Sequence, residues 1–154
     1  MKMITPKQLR KKVIGKNILV DSNIIIYLTD SIQPYDQLSK ILFEMVEEGE
    51  TQAVFSMVSI AEVMNGPLKK EMTSTATQVR DYLLNFPNSL SQDINADVLS
   101  KIGSEKSISW SKLRTVDSLI IACGLLNEVD YFVSNDIHFK KSIPADKFLS
   151  FDQF

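Results

Sequence analysis

The sequence predicts an α/β fold of three layers, with helices on both faces of a mainly parallel central sheet. Short apolar runs with strand character alternate with longer stretches of helical periodicity. Two of those runs end in turn- and cap-forming triplets, Asp21-Ser22-Asn23 and Ser134-Asn135-Asp136. The length of 154 residues suits one domain with a real core and is too short for two ordinary ones.

In chain order, Ile18-Leu19-Val20 is a short buried-strand pattern ended by the first triplet. Pro34 opens a helical stretch with apolar residues at Leu38, Ile41, Leu42, Met45 and Val46, and Gly49 closes it. Ala53-Val54-Phe55 reads as the second strand, after which Ser59 starts a helix, since Ser59 and Glu62 have capping-box spacing. Thr73 to Phe86 is helical, with Val79, Tyr82, Leu83 and Phe86 on one face and Pro87 as its stop. A strand is expected around Leu90 to Ile94, then a helix carrying Val98, Leu99 and Ile102. Residues 103 to 114 read as loop or short helix, and Thr115 as N-cap of the apolar helix through Leu119, Ile120, Cys123 and Leu126. Tyr131-Phe132-Val133 is the clearest late strand, and Phe148 to Phe151 supply one more. Strands alternating with helices in this way imply parallel pairing with both faces covered.

Composition excludes several classes. The apolar fraction of 44% is that of a globular chain. The longest apolar stretches, Ile24 to Leu28 and Leu119 to Leu126, fall far short of the ~20 residues a bilayer span needs. No apolar signal region follows the opening Met-Lys-Met-Ile-Thr-Pro, and Cys123 is the single cysteine, so neither an intramolecular disulfide nor a cysteine metal site is available. A cytoplasmic protein is the plain expectation. The net charge of −2 is unevenly spread: residues 1 to 16 hold six basic residues and no acid, leaving a net of −8 on the rest. The expected organisation is thus a basic N-terminal arm, 1–16, before a domain spanning 17–154. Such an arm would either steer a polyanion toward an acidic body or simply be a solvated basic helix face or a loose terminus.

Four acids occupy similar places on this map. Asp21 and Asp136 follow strands, while Glu62 and Asp117 sit in the first turns of helices. In open α/β sheets ligands bind beyond the carboxyl ends of the strands, so the topology would bring all four to one crevice. Each also has an ordinary role: Glu62 completing the box with Ser59, Asp117 favouring its helix dipole, Asp21 and Asp136 forming caps or Asx turns. Together they are costly, because crowded carboxylates repel and their pKa values rise. Hard cations such as Mg²⁺ or Mn²⁺ would relieve that cost, and four carboxylates balance two divalent ions.

At these residues the sequence resembles the PIN-domain family. Ile18-Leu19-Val20-Asp21-Ser22-Asn23-Ile24-Ile25 is similar to the family's opening motif, and Ser59-Ile60-Ala61-Glu62-Val63 to its second. Thr115-Val116-Asp117-Ser118-Leu119-Ile120-Ile121-Ala122 resembles the third, and Val133-Ser134-Asn135-Asp136-Ile137-His138-Phe139 the fourth. The resemblance implies a PIN-like fold and a Mg²⁺- or Mn²⁺-dependent endoribonuclease. Its catalytic and metal-holding acids would be Asp21, Glu62, Asp117 and Asp136, supported by Asn23 and Ser134, with Asn135 either orienting the cluster or forming the turn. It further implies a toxin of a toxin–antitoxin pair, with RNA as substrate, an antitoxin protein as partner, a homodimer as assembly and no membrane. Two rival classes stand beside it. One is a catalytically silent PIN-like module binding RNA or protein. The other is a phosphohydrolase with an aspartyl nucleophile, weakened because Asp21-Ser22-Asn23 lacks a second acid two residues on.

The remaining candidates read as structure. His138 is expected to pack beside Phe139, and Cys123 to fill core; Trp110 either stacks on a base or, on the ordinary reading, packs, and Arg114, Lys140 and Lys141 either touch phosphate or, on the ordinary reading, are solvated charge.

Overall fold

Alternation along the central strands splits their side chains between two hydrophobic cores, which makes the fold three-layered. The computed structural model describes residues 2–153. It contains strands β1 (Lys2–Met3), β2 (Asn17–Val20), β3 (Gln52–Ser56), β4 (Ser89–Gln92), β5 (Tyr131–Val133), β6 (Phe148–Leu149) and β7 (Asp152–Gln153). The helices are α1 (Pro6–Val13), α2 (Ser22–Thr29), α3 (Asp36–Glu47), α4 (Met57–Lys69), α5 (Thr73–Leu84), α6 (Ala96–Lys101), α7 (Thr115–Leu126) and α8 (Ile137–Ser142). Short 3₁₀ turns lie at Trp110–Lys112 and Ala145–Lys147.

The main sheet has the order β4-β3-β2-β5-β6 and every pairing in it is parallel. One core gathers Ile18, Val20, Ala53, Phe55 and Val133 from the strands against α1 to α5. The other takes Leu19, Val54 and Phe132 against Val98 of α6, Ile120, Ile121 and Cys123 of α7, and Phe139 of α8. Parallel strands buried on both faces account for the near-continuous apolar runs seen in the sequence. Gly124 allows α7 to lie directly on the sheet, because a Cβ there would collide with the Phe132 ring. Gly49 ends the turn after α3 at φ +79, a conformation that costs glycine little.

The expected strands and helices are present, with two corrections to helix starts and one alternative resolved. Helix α4 begins two residues before the expected Ser59 start, because Ser56 closes β3 and caps the helix, its Oγ accepting from the Val58 N–H at 3.2 Å. Arg114, with extended backbone at φ −72 and ψ 161, takes the N-cap position of α7 that Thr115 was expected to hold. Within the segment read as a basic arm, residues 2–13 are folded elements. There β1 pairs antiparallel with β7, and α1 drives Leu9 and Val13 into the core with its basic side chains facing solvent. Thr5 and Gln8 form a reciprocal capping box at the start of α1, which fixes where that helix begins.

Candidate functional site

Parallel pairing fixes the centre of the site. The β2–β5 register sets Val20 opposite Val133, so the residues that follow, Asp21 and Ser134, meet at the carboxyl edge of the sheet. The Ser134 hydroxyl donates to Asp21 Oδ2 at 2.7 Å, and the Ser22 N–H donates to Oδ1 at 2.8 Å. The Asn23 amide bridges the two, donating to Ser134 Oγ at 3.3 Å and more distantly to Asp21 Oδ2 at 3.5 Å. Ser134 Oγ also accepts the Asp136 N–H at 3.0 Å, while the Asp136 carboxylate caps α8 by accepting the His138 N–H at 2.8 Å. Ser134 thus bonds both to Asp21 and to the backbone of Asp136, beyond its place in the turn.

Asn135 makes a second set of contacts. Its N–H donates to Asn23 Oδ1, and its amide donates to the Tyr27 hydroxyl and to Asp152 Oδ2, at 3.2, 3.1 and 3.0 Å. Its Oδ1 accepts from the Ser150 hydroxyl at 2.6 Å and from the Asp152 N–H at 2.9 Å. The Tyr35 hydroxyl donates to Asp152 and its ring stacks on Tyr27, joining the C-terminal strand to the crevice.

The acids act on one another through their charges. Asp21 is only 4% exposed, and its carboxyl is pushed up to about 7, first by burial and then by Glu62 and Asp136, against the hydrogen bonds from Ser134 and Ser22. Half-buried Glu62, on α4, is also raised, by burial first and by the charges of Asp117 and Asp136, with Ser22 and Arg114 opposing. Asp117 is buried in the first turn of α7, where the exposed Arg114 guanidinium grips it through both oxygens at 3.1 and 3.2 Å. Arg114 is held the more firmly protonated by Asp117, and it also feels Asp136 and Glu62.

The four acids thus share one electrostatic neighbourhood. Among the described residues, however, no three acidic, His or Cys side chains are gathered so as to grip a metal ion. Asp117 is engaged by Arg114, and Asp21 is turned toward Ser134 and Ser22. The donor chemistry itself, all carboxylate oxygen, suits a hard divalent cation.

Some sequence expectations end here. Ser59 lies inside α4, buried, its hydroxyl without a hydrogen-bond partner, so the capping-box explanation of Glu62 falls away. His138 is exposed, and Phe139 alone enters the core. Arg114 was read as plain surface charge and is the partner of Asp117. Its position three residues ahead of that acid on one helix face was the available signal. Asp152 and Tyr35 carried no local signal, because their contacts are made across the fold.

A family model described as the PIN domain matches residues 18–142. A search of curated proteins returned no match. Among solved structures, DNA-bound VapBC from Salmonella typhimurium is 13% identical with a TM-score of 0.64, covering 89% of this chain and 99% of that one. VapBC2 from Rickettsia felis, bound to a DNA fragment from its promoter, is 19% identical with a TM-score of 0.63, covering 88% and 99%. VapC20 from Mycobacterium tuberculosis, a toxin that cleaves the sarcin-ricin loop, is 11% identical with a TM-score of 0.61, covering 80% and 93%. At these identities the likeness is one of fold.

Proposed function

Because the chain belongs to the PIN domain family, we propose that it is an endoribonuclease that hydrolyses RNA phosphodiester bonds with a divalent cation, Mg²⁺ or Mn²⁺, held by Asp21, Asp117, Asp136 and Glu62. One observation carries the reading. Asp21 is buried with its carboxyl raised to about 7, between two further acids and with no basic side chain paired to it among the described residues. A fold that tolerates this cost without a charge partner is suited to a cation that completes the site.

When bound, a divalent cation there supplies charge neutralisation and a water acidic enough to attack phosphorus near neutral pH. The chain's own groups do the rest. Ser134 and the Ser22 N–H hold the Asp21 oxygens in place, and Asn23 braces Ser134. Arg114, exposed and beside three of the acids, is placed to take a phosphate oxygen once released from Asp117. The surrounding VapBC-like folds support a role as the toxin of a toxin–antitoxin pair, acting as a homodimer and silenced by an antitoxin protein.

A second reading is a PIN-like module that binds RNA or protein without cutting. The Arg114–Asp117 pair favours it, since both oxygens of a proposed ligand are already engaged. Labelled RNA incubated with Mn²⁺ or with EDTA separates the two. The nuclease reading expects Mn²⁺-dependent cleavage by the native chain and its loss in Asp117→Asn. Intact RNA under every metal condition would leave the silent module.

A further inference from the structure

A second polar surface lies away from the acids. Helix α1 and the outer strands enclose a pocket of about 460 Å³ lined by Gln8, Lys11, Lys12, Lys16, Tyr131 and Gln153. Ile4 and Leu149 form its apolar floor. We infer that this pocket is a phosphate-binding site for the backbone of single-stranded RNA, an anchor separate from the acidic crevice; as a route for substrate, it rests on the nuclease reading above.

Three observations point to a phosphodiester chain. First, three lysines and two glutamines line the pocket, and no acid does. None of the three lysines forms a salt bridge among the described residues, so their charge is available to a ligand. The two acids nearest in sequence are turned to other partners: Asp130 accepts the Asn17 N–H at 2.8 Å, and Asp152 accepts from Asn135 and Tyr35. Second, the lysines are positioned by folded backbone. Leu9 and Val13 anchor α1 in the core, which turns Lys11 and Lys12 outward, and the Lys16 carbonyl accepts the Gln52 N–H at 2.9 Å. Third, Tyr131 lines the pocket half-buried, its ring packed against the core on one side and its remaining surface offered to a base. An acidic peptide would use the charges but would have no use for a stacking ring.

The placement also meets a need of the site. Outside residues 1 to 16 the chain carries a net charge of −8, so the crevice repels a polyanion and the attraction must come from elsewhere. Tyr131 opens β5, and Ser134, which orients Asp21, follows its end.

The test measures binding of a labelled 12-nucleotide single-stranded RNA across a salt series, in EDTA so that no cleavage occurs. The triple variant Lys11→Gln, Lys12→Gln, Lys16→Gln should flatten the slope of log Kd against log salt by about 2 and weaken binding roughly 100-fold at 0.1 M salt. The matching triple Lys→Arg variant should restore both, and Tyr131→Leu should weaken binding without changing the slope. A control triple at Lys69, Lys70 and Lys106 should leave the slope as it was. An unchanged slope in the pocket variant overturns the inference. So does competition by polyglutamate as effective as that by unlabelled RNA, because the pocket would then serve acidic protein. The two readings fail separately. Mn²⁺-dependent cleavage with an unchanged slope removes the pocket alone, whereas a flattened slope in a chain that never cleaves removes the nuclease alone.

Discussion

In the metal-free protein, Asp21 should make stability fall as pH rises, and Asp21→Asn should remove that slope. The carboxyl moves from an ordinary 3.8 to about 7 on folding, with burial as the main cause. A raised folded-state pKa contributes stability that is fully present below the unfolded value and lost as pH climbs through the folded one. The window is therefore about pH 4 to 7. Between pH 5 and pH 8 roughly two of the three units are traversed, worth about 2.5 kcal/mol at about 1.4 kcal/mol per unit. Glu62, raised in the same direction mainly by its own burial, adds to the trend in both proteins, and the smaller part it owes to the Asp21 charge is counted with Asp21. The assay is urea unfolding in EDTA at pH 5 and pH 8 for the native chain and for Asp21→Asn. The native protein should lose about 2.5 kcal/mol more than the variant between the two pH values. Added Mn²⁺ at pH 8 should recover most of the loss in the native chain and none in the variant. Equal pH slopes in the two proteins would show that Asp21 ionises freely in the fold, and the reasoning behind the site would fail with it.

Three further outcomes follow from the same structure. Ser134→Ala removes the 2.7 Å donor to Asp21 and the acceptor of the Asp136 N–H, and should slow metal-dependent cleavage about 10- to 100-fold while lowering stability by about 1–3 kcal/mol. Cleavage rates at native level would limit Ser134 to a turn residue. Leu9→Ala opens a cavity under α1 and should destabilise the protein by about 2–5 kcal/mol in urea melts, whereas a loose basic arm would show no change. Gly124→Ala forces a Cβ against the Phe132 ring and should cost about 1–3 kcal/mol, with the smaller Leu at position 132 recovering part of it in a double-mutant cycle.

The legible parts of this fold were those whose signal is local. Ile18-Leu19-Val20 and Tyr131-Phe132-Val133 announce buried parallel strands because burial on both faces demands unbroken apolar runs. Strand followed by acid, taken with parallel pairing, placed Asp21 and Asp136 at one edge of the sheet. Helix starts were less legible. The Ser59–Glu62 spacing matched a capping box, but Ser56 lies nearer the strand end and captured the cap first. Six basic residues in sixteen drew attention to the charge of the N-terminal segment and away from Leu9 and Val13, whose spacing of four marks one buried helix face. Arg114 was taken for solvent-facing charge because a side chain can be exposed and still hold a buried acid. The links from Asn135 to Asp152 and Tyr27 had no sequence trace, since hydrogen-bond partners distant in the chain leave no periodicity behind.

That asparagine has a polarity which no isostere can copy. Its NH₂ faces a carboxylate and a phenol, while its oxygen faces a hydroxyl and a backbone N–H. An aspartate of the same shape would keep the second half and accept from the Tyr27 hydroxyl in turn, but it would set a negative charge directly against Asp152. Hydrolysis of this one amide, the common chemical ageing of asparagine, would make that change in the intact protein. It would loosen the C-terminal strand where Asn135 holds Asp152, while the backbone N–H of the same residue kept its bond to Asn23, so one carboxamide ties the chain's end to the crevice.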